Sequence, residues 1–247
     1  NQIIMLKSSI VQLTKIGAVT MICLLVASCQ FQGIKGSGNV TTENRSFYSD
    51  FKSIEVEKAL EVVVEQSDVT SVTVVADDNL QKHITTTVKN GVLSISSDIN
   101  NYQNVKSKKV IVKMPTIEGI QASSAASLQS RNTLKGNIIS INSSSGAKVE
   151  VTIEVDKAYC ESSSGSQIIV KGKSISIETS SSSGSSIDAK ELLSNDVMAD
   201  ASSGSSINVY PLRSLTAEAS SGSNIIYYNS PKNLNKKTSS GGNIGKE

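Results

Sequence analysis

A Ser-Ser-Gly tripeptide recurs six times in the second half of the chain, ending at Gly146, Gly165, Gly184, Gly204, Gly222 and Gly241, so that successive glycines lie 19, 19, 20, 18 and 19 residues apart. A period of this length marks a repeat architecture, in which each unit buries its apolar face only by stacking on its neighbours. A degenerate copy, Ser123-Ser124-Ala125, ends 21 residues before Gly146. Aligned on the glycine, the position three residues later is Val149, Ile168, Ile187, Ile207, Ile225 and Ile244. Seven residues before it stand Ile139, Ala158, Ile177, Val197, Leu215 and Leu234, and five before it Ile141, Cys160, Thr179, Ala199, Ala217 and Lys236. The last two columns are two residues apart, the period of a strand.

A unit of about 19 residues is too short for two helices and their turns, and alternating Val, Ile, Ser and Thr disfavours helix. At roughly 3.3 Å per residue such a coil has a perimeter of about 60 Å, enough for three short strands around an aliphatic interior. Aromatic residues are 4% of the chain and hydrophobic residues 38%, which suits a core of Ile, Val, Leu and Ala. The pattern predicts an all-β fold, a parallel β-helix with rungs of about 19 residues. The six glycines are its repeat corners, where φ is positive or neighbouring rungs approach closely. The rows of Ser145, Ser164, Ser183, Ser203, Ser221 and Ser240 read either as a binding face or hydroxyl ladder, or as small residues fitted to tight corners. Cys160 falls in an inward column and reads as a core residue; Lys236, in the same column, marks the last rung as a fraying end.

The N-terminus reads as an address. Lys7 and Lys15 lead into an apolar run from Ile16 to Val26, followed by Ala27-Ser28-Cys29. This is the layout of a secretory signal, and the run is shorter than the ~20 residues of a comfortable membrane span. Leu25-Val26-Ala27-Ser28-Cys29 resembles a bacterial lipobox, which implies lipidation at Cys29 and anchoring to the membrane by two or three acyl chains. The expected organisation is a signal peptide over 1–28, a lipidated tether over 29–38, a β-rich N-terminal capping segment over 39–114 and parallel β-helix repeats over 115–247. Within the cap, strands are expected around Phe51–Val56, Leu60–Glu65, Val69–Ala76, Ile84–Val88, Val92–Ser96 and Lys109–Met114. Asn90-Gly91 is a hairpin turn signal, and 98–106 reads as an exposed loop. The expected location is the cell envelope, at the outer membrane, on its periplasmic or surface face.

Without Lys7 and Lys15 the 24 basic residues fall to 22, equal to the 22 acidic ones. A neutral chain without a basic stripe argues against a nucleic-acid partner. Lys109 and Lys113 alternate with Val110, Val112 and Met114, as on a strand with one solvated face. With Cys23 in the leader and Cys29 lipidated, Cys160 is left alone, so neither an intramolecular disulfide nor a metal site built on Cys pairs is expected. The Gly-Gly-x-Gly-x-Asp calcium repeat is absent from the corners. No cofactor is implied.

Gly36-Ser37-Gly38-Asn39-Val40, Phe51-Lys52-Ser53-Ile54, Val62-Val63-Val64-Glu65-Gln66, Val72-Thr73-Val74, Asn90-Gly91-Val92-Leu93-Ser94-Ile95 and then the Ser-Ser-Gly rungs follow one another in an order that resembles the putative auto-transporter adhesin family with a head GIN domain. The resemblance spans about 36–244. It implies a right-handed parallel β-helix on a secreted or lipid-anchored envelope protein, and carries over no catalytic or binding residues.

The inventory for catalysis is thin. His83 is the only histidine, with no nucleophile motif such as Gly-x-Ser-x-Gly, and reads as solvated. Asp77-Asp78 reads as a turn in preference to one edge of a cation site. Polysaccharide-cleaving β-helix enzymes need charged residues clustered across rungs, whereas Lys171, Lys173, Asp188, Lys190 and Arg213 appear isolated. The expected function is non-enzymatic: adhesion, or glycan or protein binding, through a repetitive face, with further copies of the chain as another candidate partner. The alternatives are a structural periplasmic envelope protein and, behind it, a polysaccharide-active β-helix enzyme.

Overall fold

Residues 149–162 alternate inward and outward almost without interruption, and the same alternation returns at each repeat, so every rung has an apolar lining to lay on the next. In the computed structural model, which describes residues 33–46 and 49–247, these rungs stack as a parallel β-solenoid of about 7 turns. The predicted signal peptide, Cys23 and Cys29 lie outside the described residues.

The column three residues past the corners runs through the seven repeat rungs as Leu128, Val149, Ile168, Ile187, Ile207, Ile225 and Ile244 and continues into two layers of the N-terminal segment as Val62 and Val110, each paired in register with the next. All nine are buried. At about 1.5–3 kcal/mol for each fully buried aliphatic side chain, such columns are the main force holding the rungs together. Cys160 occupies the inward column as expected, and burial pushes its thiol up to about 12.

The corners are four-residue turns closed by a hydrogen bond from the residue after the glycine to the first serine, as in Ala147 N–H to Ser144 O (3.1 Å) and Ser185 N–H to Ser182 O (3.2 Å). Positive φ at both central residues, for example 51° at Ser145 and 71° at Gly146, is the pattern of a type I′ turn. Each corner also bonds to the next, Gly146 N–H to Ser164 O and Gly165 N–H to Ser183 O, both at 3.1 Å. Nothing lies within 4 Å of a Cβ built on Gly146, Gly165, Gly184, Gly204 or Gly222, so glycine is there for its φ and not for space.

The uneven 20- and 18-residue spacings are absorbed away from these corners. Register shifts fall between Ile169 and Lys171, between Ala189 and Leu193, and between Ser194 and Asp196. Gly172 sits at that opposite bend with φ 108°, where a Cβ would lie 2.1 Å from the Ile153 carbonyl oxygen. There glycine is required by contact.

Residues 39–114 lie at the N-terminal end of the stack, and part of this segment is itself solenoid. Ser53–Val56 and Glu61–Gln66 form a complete layer, parallel to Gly119–Ala122 and Ser127–Ser130 on one side and to Val92–Ser97 and Lys108–Met114 on the other. Their corner is Lys58-Ala59, with φ 62° and 56°. The layers are thus interleaved: the chain lays down 53–66, travels to the end of the stack for 92–114, and returns past its first layer to continue at 119. The remaining strands close the end by antiparallel pairing. Ile84–Lys89 forms the predicted hairpin with Val92–Ser97 through Asn90-Gly91, Ser71–Asp77 covers Lys108–Met114, and Val40–Arg45 covers Ser71–Asp77. A short 3-10 helix spans Asp78–His83.

The stretch expected as a tether is built into this cap from Gly33 onward. Ile34–Lys35 pairs in parallel with Tyr102–Gln103, inside the segment read as an exposed loop.

Candidate functional site

The six predicted serines, Ser145 to Ser240, form an exposed ridge at the first central position of each corner. The hydroxyl ladder belongs to other serines. Ser166, Ser185, Ser205 and Ser223, one residue past the glycine, are buried and donate to the carbonyls of Ser143, Ser162, Ser181 and Ala201 in the preceding rung, each at 2.7 Å. Ser162 and Ser181 add hydroxyl contacts of 2.9 Å to Ser166 and Ser185. These buried hydroxyls satisfy buried carbonyls, a structural task. The rung-to-rung serine bonds therefore run from hydroxyl to backbone carbonyl, two residues past the serines singled out in the sequence.

A long depression lies on the face just before the corners. Two outward columns line it: Ser140, Tyr159, Glu178, Met198 and Thr216, and beside them Asn142, Glu161, Ser180, Asp200 and Glu218. The trough encloses about 620 Å³. Successive members of a column are one strand spacing apart, about 4.8 Å, which repeats short hydrogen-bonding groups along the solenoid axis. Sequence reasoning missed this face because its residues share no type; the inward columns that flank them were its only signal.

Charge on the trough is partly balanced. Lys157 Nζ lies 2.6 Å from Glu178 Oε1 and 4.5 Å from the centre of the Tyr159 ring, and its bond to Glu178, helped by Tyr159, holds the ammonium above its ordinary range. Lys237 Nζ reaches Glu218 Oε2 at 3.0 Å, relieving the adjacent carboxylates of Asp200 and Glu218. Met198 is half exposed, at 55%. The trough therefore offers carboxylate, amide and hydroxyl groups beside one thioether and the uncovered part of one aromatic ring.

The residues weighed for catalysis are dispersed. His83 is less solvated than expected: its side chain is mostly shielded and Nδ1 lies 2.9 Å from Asp98 Oδ1. Asp77 is fully buried. It accepts N–H bonds from Gly38 (2.9 Å), Ser107 (2.9 Å) and Lys106 (3.1 Å), so it is a structural hub more than a simple turn residue. Burial alone would raise its carboxyl, but the three donors outweigh it and hold the group below the usual carboxylate range. Asp78 accepts from Asn39 Nδ2 at 2.9 Å. Two of the charges read as isolated pair across rungs: Lys171 lies 3.7 Å from Glu150 and 4.0 Å from Glu191, and Arg213 forks onto Asp196, whose carboxyl is held low by that pair, while Lys190 pairs with Asp188 in its own strand at 3.6 Å. Among the described residues no helix is long and apolar enough to cross a membrane, and no three acidic, His or Cys side chains gather as a metal site.

The fold has solved relatives. A putative adhesin from Bacteroides fragilis aligns with a TM-score of 0.81 at 22% identity, over 87% of this chain and 100% of its own. A putative lipid binding protein from Parabacteroides distasonis gives 0.72 at 22% identity, and a putative adhesin from Parabacteroides merdae 0.69 at 19%, each over 87% of this chain and 100% and 99% of its own. Comparison with curated proteins gives no match. Residues 50–231 match the family described as "Putative auto-transporter adhesin, head GIN domain", a span that holds the interleaved layers and five of the six Ser-Ser-Gly corners, and the chain belongs to that family.

Proposed function

We propose that the protein is a non-enzymatic, lipid-anchored adhesin of the cell envelope, that it sits at the outer membrane, and that its trough holds a glycan. The observation that carries the reading is the repetition of short hydrogen-bonding side chains at rung spacing in one open depression. An extended hexose chain presents hydroxyls at a comparable interval. Carboxylates such as Glu161 and Asp200 accept from sugar hydroxyls, while Asn142 and Ser180 both donate and accept. Each contact is weak, and the strength comes from several rungs engaging one chain together. Membership of an adhesin family supports the same reading.

The test has two arms. Protease shaving of intact and lysed cells reads the face of the membrane: digestion on intact cells supports adhesion, and protection until lysis moves the protein to periplasmic envelope structure. Binding of purified protein to an immobilised glycan panel reads the ligand, with Glu161→Gln/Asp200→Asn compared against the native chain. Loss of at least tenfold in affinity is expected from this exposed double substitution. Unchanged binding would place the ligand elsewhere, capture of protein ligands alone would replace the glycan, and release of reducing ends or unsaturated sugars would make the protein an enzyme.

A further inference from the structure

The segment leading into the solenoid is clamped, although its glycines suggest slack. Ile34 N–H donates to Asn101 O at 3.0 Å and Gly36 N–H to Gln103 O at 2.9 Å, continuing the pairing with Tyr102–Gln103. Asn79 holds it from the other side, its Oδ1 accepting from Ser37 N–H (3.0 Å) and its Nδ2 donating to Lys35 O (2.9 Å). Gly38 N–H donates to buried Asp77, whose other oxygen is held by the backbone of Lys106 and Ser107. Gly36 passes so close beneath this arrangement that a Cβ would lie 2.4 Å from Asp77 Oδ2 and 2.8 Å from the Val105 Cα. Asn39 then bonds to Asp78, and the chain enters strand Val40–Arg45.

We propose that this clamp makes the N-terminal end of the solenoid its membrane-facing end, apposed to the lipid surface. The inference rests on the lipid-anchored reading above. Only four residues, 30–33, separate Cys29 from Ile34. Five Cα steps reach at most about 18 Å when fully extended. From the outermost N-terminal layer to the last rung there are eight strand spacings, roughly 38 Å at about 4.8 Å each. A lipid on Cys29 therefore keeps the capped end at the bilayer, and the trough, which begins at Ser140, stands away from it. The cap suits that position: Lys35, Lys82 and Lys106 are exposed around the clamp, while the nearby carboxylates of Asp78 and Asp98 are engaged by Asn39 and His83. Lysines in that setting favour anionic headgroups.

The test uses the full chain, produced with its leader and reconstituted in phosphatidylethanolamine–phosphatidylglycerol vesicles carrying a lipid-borne fluorescence acceptor. Donor dyes are placed by Lys89→Cys in the cap and by Ser240→Cys at the last corner; Cys160 is buried and stays unlabelled. Energy transfer at least threefold stronger from position 89 than from 240 is expected. Asn79→Ala, which removes two clamp bonds from a partly exposed side chain, should reduce that difference while the circular dichroism of the solenoid is retained. Equal or reversed transfer in a chain shown by mass spectrometry to carry lipid on Cys29 overturns the orientation alone. An unlipidated Cys29 overturns the anchoring reading, and the orientation with it.

Discussion

The two ends of the solenoid solve one problem by different means. Both terminate a stack of parallel strands, and an exposed strand edge is a template for pairing with another chain. At the N-terminal end the outermost layer is covered: Ile84–Lys89 and Ser71–Asp77 pair antiparallel onto it, Val40–Arg45 extends the second, and Asp77 ties the entering chain to the loop at 104–107. At the C-terminal end, Asn233–Thr238 and Asn243–Lys246 each pair with one earlier strand and have no strand beyond them among the described residues. Here the inward column ends in Lys236, whose ammonium lies 5.7 Å from the Tyr227 ring centre and 3.4 Å from the Ile244 carbonyl. One end is closed by hydrogen bonding and shape. At the other, among the described residues, the last strands carry a guarding charge in the inward column, which deters strand addition.

If the N-terminal closure depends on its hub, the largest effect will come from Asp77→Ala. The substitution leaves three partly buried N–H groups without an acceptor, at no more than about 1–3 kcal/mol each, so a loss of about 3 kcal/mol is expected in urea unfolding. Hydrogen exchange should rise first at Gly38, Lys106 and Ser107 while the corner amide of Gly222 stays protected. A loss below about 1 kcal/mol would mean that the covering strands close this end unaided.

Acid should imitate that substitution. Because the folded-state carboxyl of Asp77 lies below its ordinary value of 3.8, its contribution is fully present above that pH and is lost as pH falls through the lowered folded value. Protection at the three donor amides should therefore decay in that window, corrected for the intrinsic pH dependence of exchange, with no matching change at the C-terminal corners. In Asp77→Asn the same window should be flat. A C-terminal decay of equal size would show that the acid effect belongs to the solenoid as a whole.

The comparison also marks where sequence could be read. The corner glycines and the columns around them predict the rung register to the residue, because one φ requirement and one inward position recur in every repeat. The Lys58-Ala59 corner has neither Ser-Ser nor Gly, and only Ile54 and Val62 at the matching offsets hint that 53–66 is a rung. Interleaving leaves no local mark, since parallel pairing between distant segments needs no shared motif. Val40–Arg45 escaped because an edge strand of Thr, Glu and Asn shows no apolar alternation. The trough is hidden for a related reason: Tyr159, Glu178 and Met198 occupy equivalent positions with unrelated chemistries. Asp77 acquires its role only when Gly38, Lys106 and Ser107 converge on it.

Lys236→Thr tests the guard. Thr179 already occupies this column two rungs into the stack's interior from Ala217, so the side chain fits the fold. Loss of the exposed cation–π contact costs about 0.5–1 kcal/mol at most, and thermal unfolding should shift little. Association should change far more: sedimentation velocity is expected to show concentration-dependent dimers or longer species for the variant at loadings where the native chain sediments as one smaller species. Identical sedimentation of the two would show that the open edge is protected by something other than Lys236.

The smallest effect compares one substitution at two heights. Ser145 and Ser240 both adopt positive φ, 51° and 48°, a conformation costing a side chain about 1–2 kcal/mol. Glycine relieves that cost and restores about 0.4–1 kcal/mol of unfolded-chain entropy, so Ser145→Gly should raise stability by less than about 1 kcal/mol. Ser240→Gly relieves the same strain in a rung that pairs on one side only. If that rung opens before the rest unfolds, its strain is already released along the way and the global midpoint should not move. Equal shifts in the two variants would instead join the last rung to the cooperative core, making the guarded end as firmly folded as the capped one.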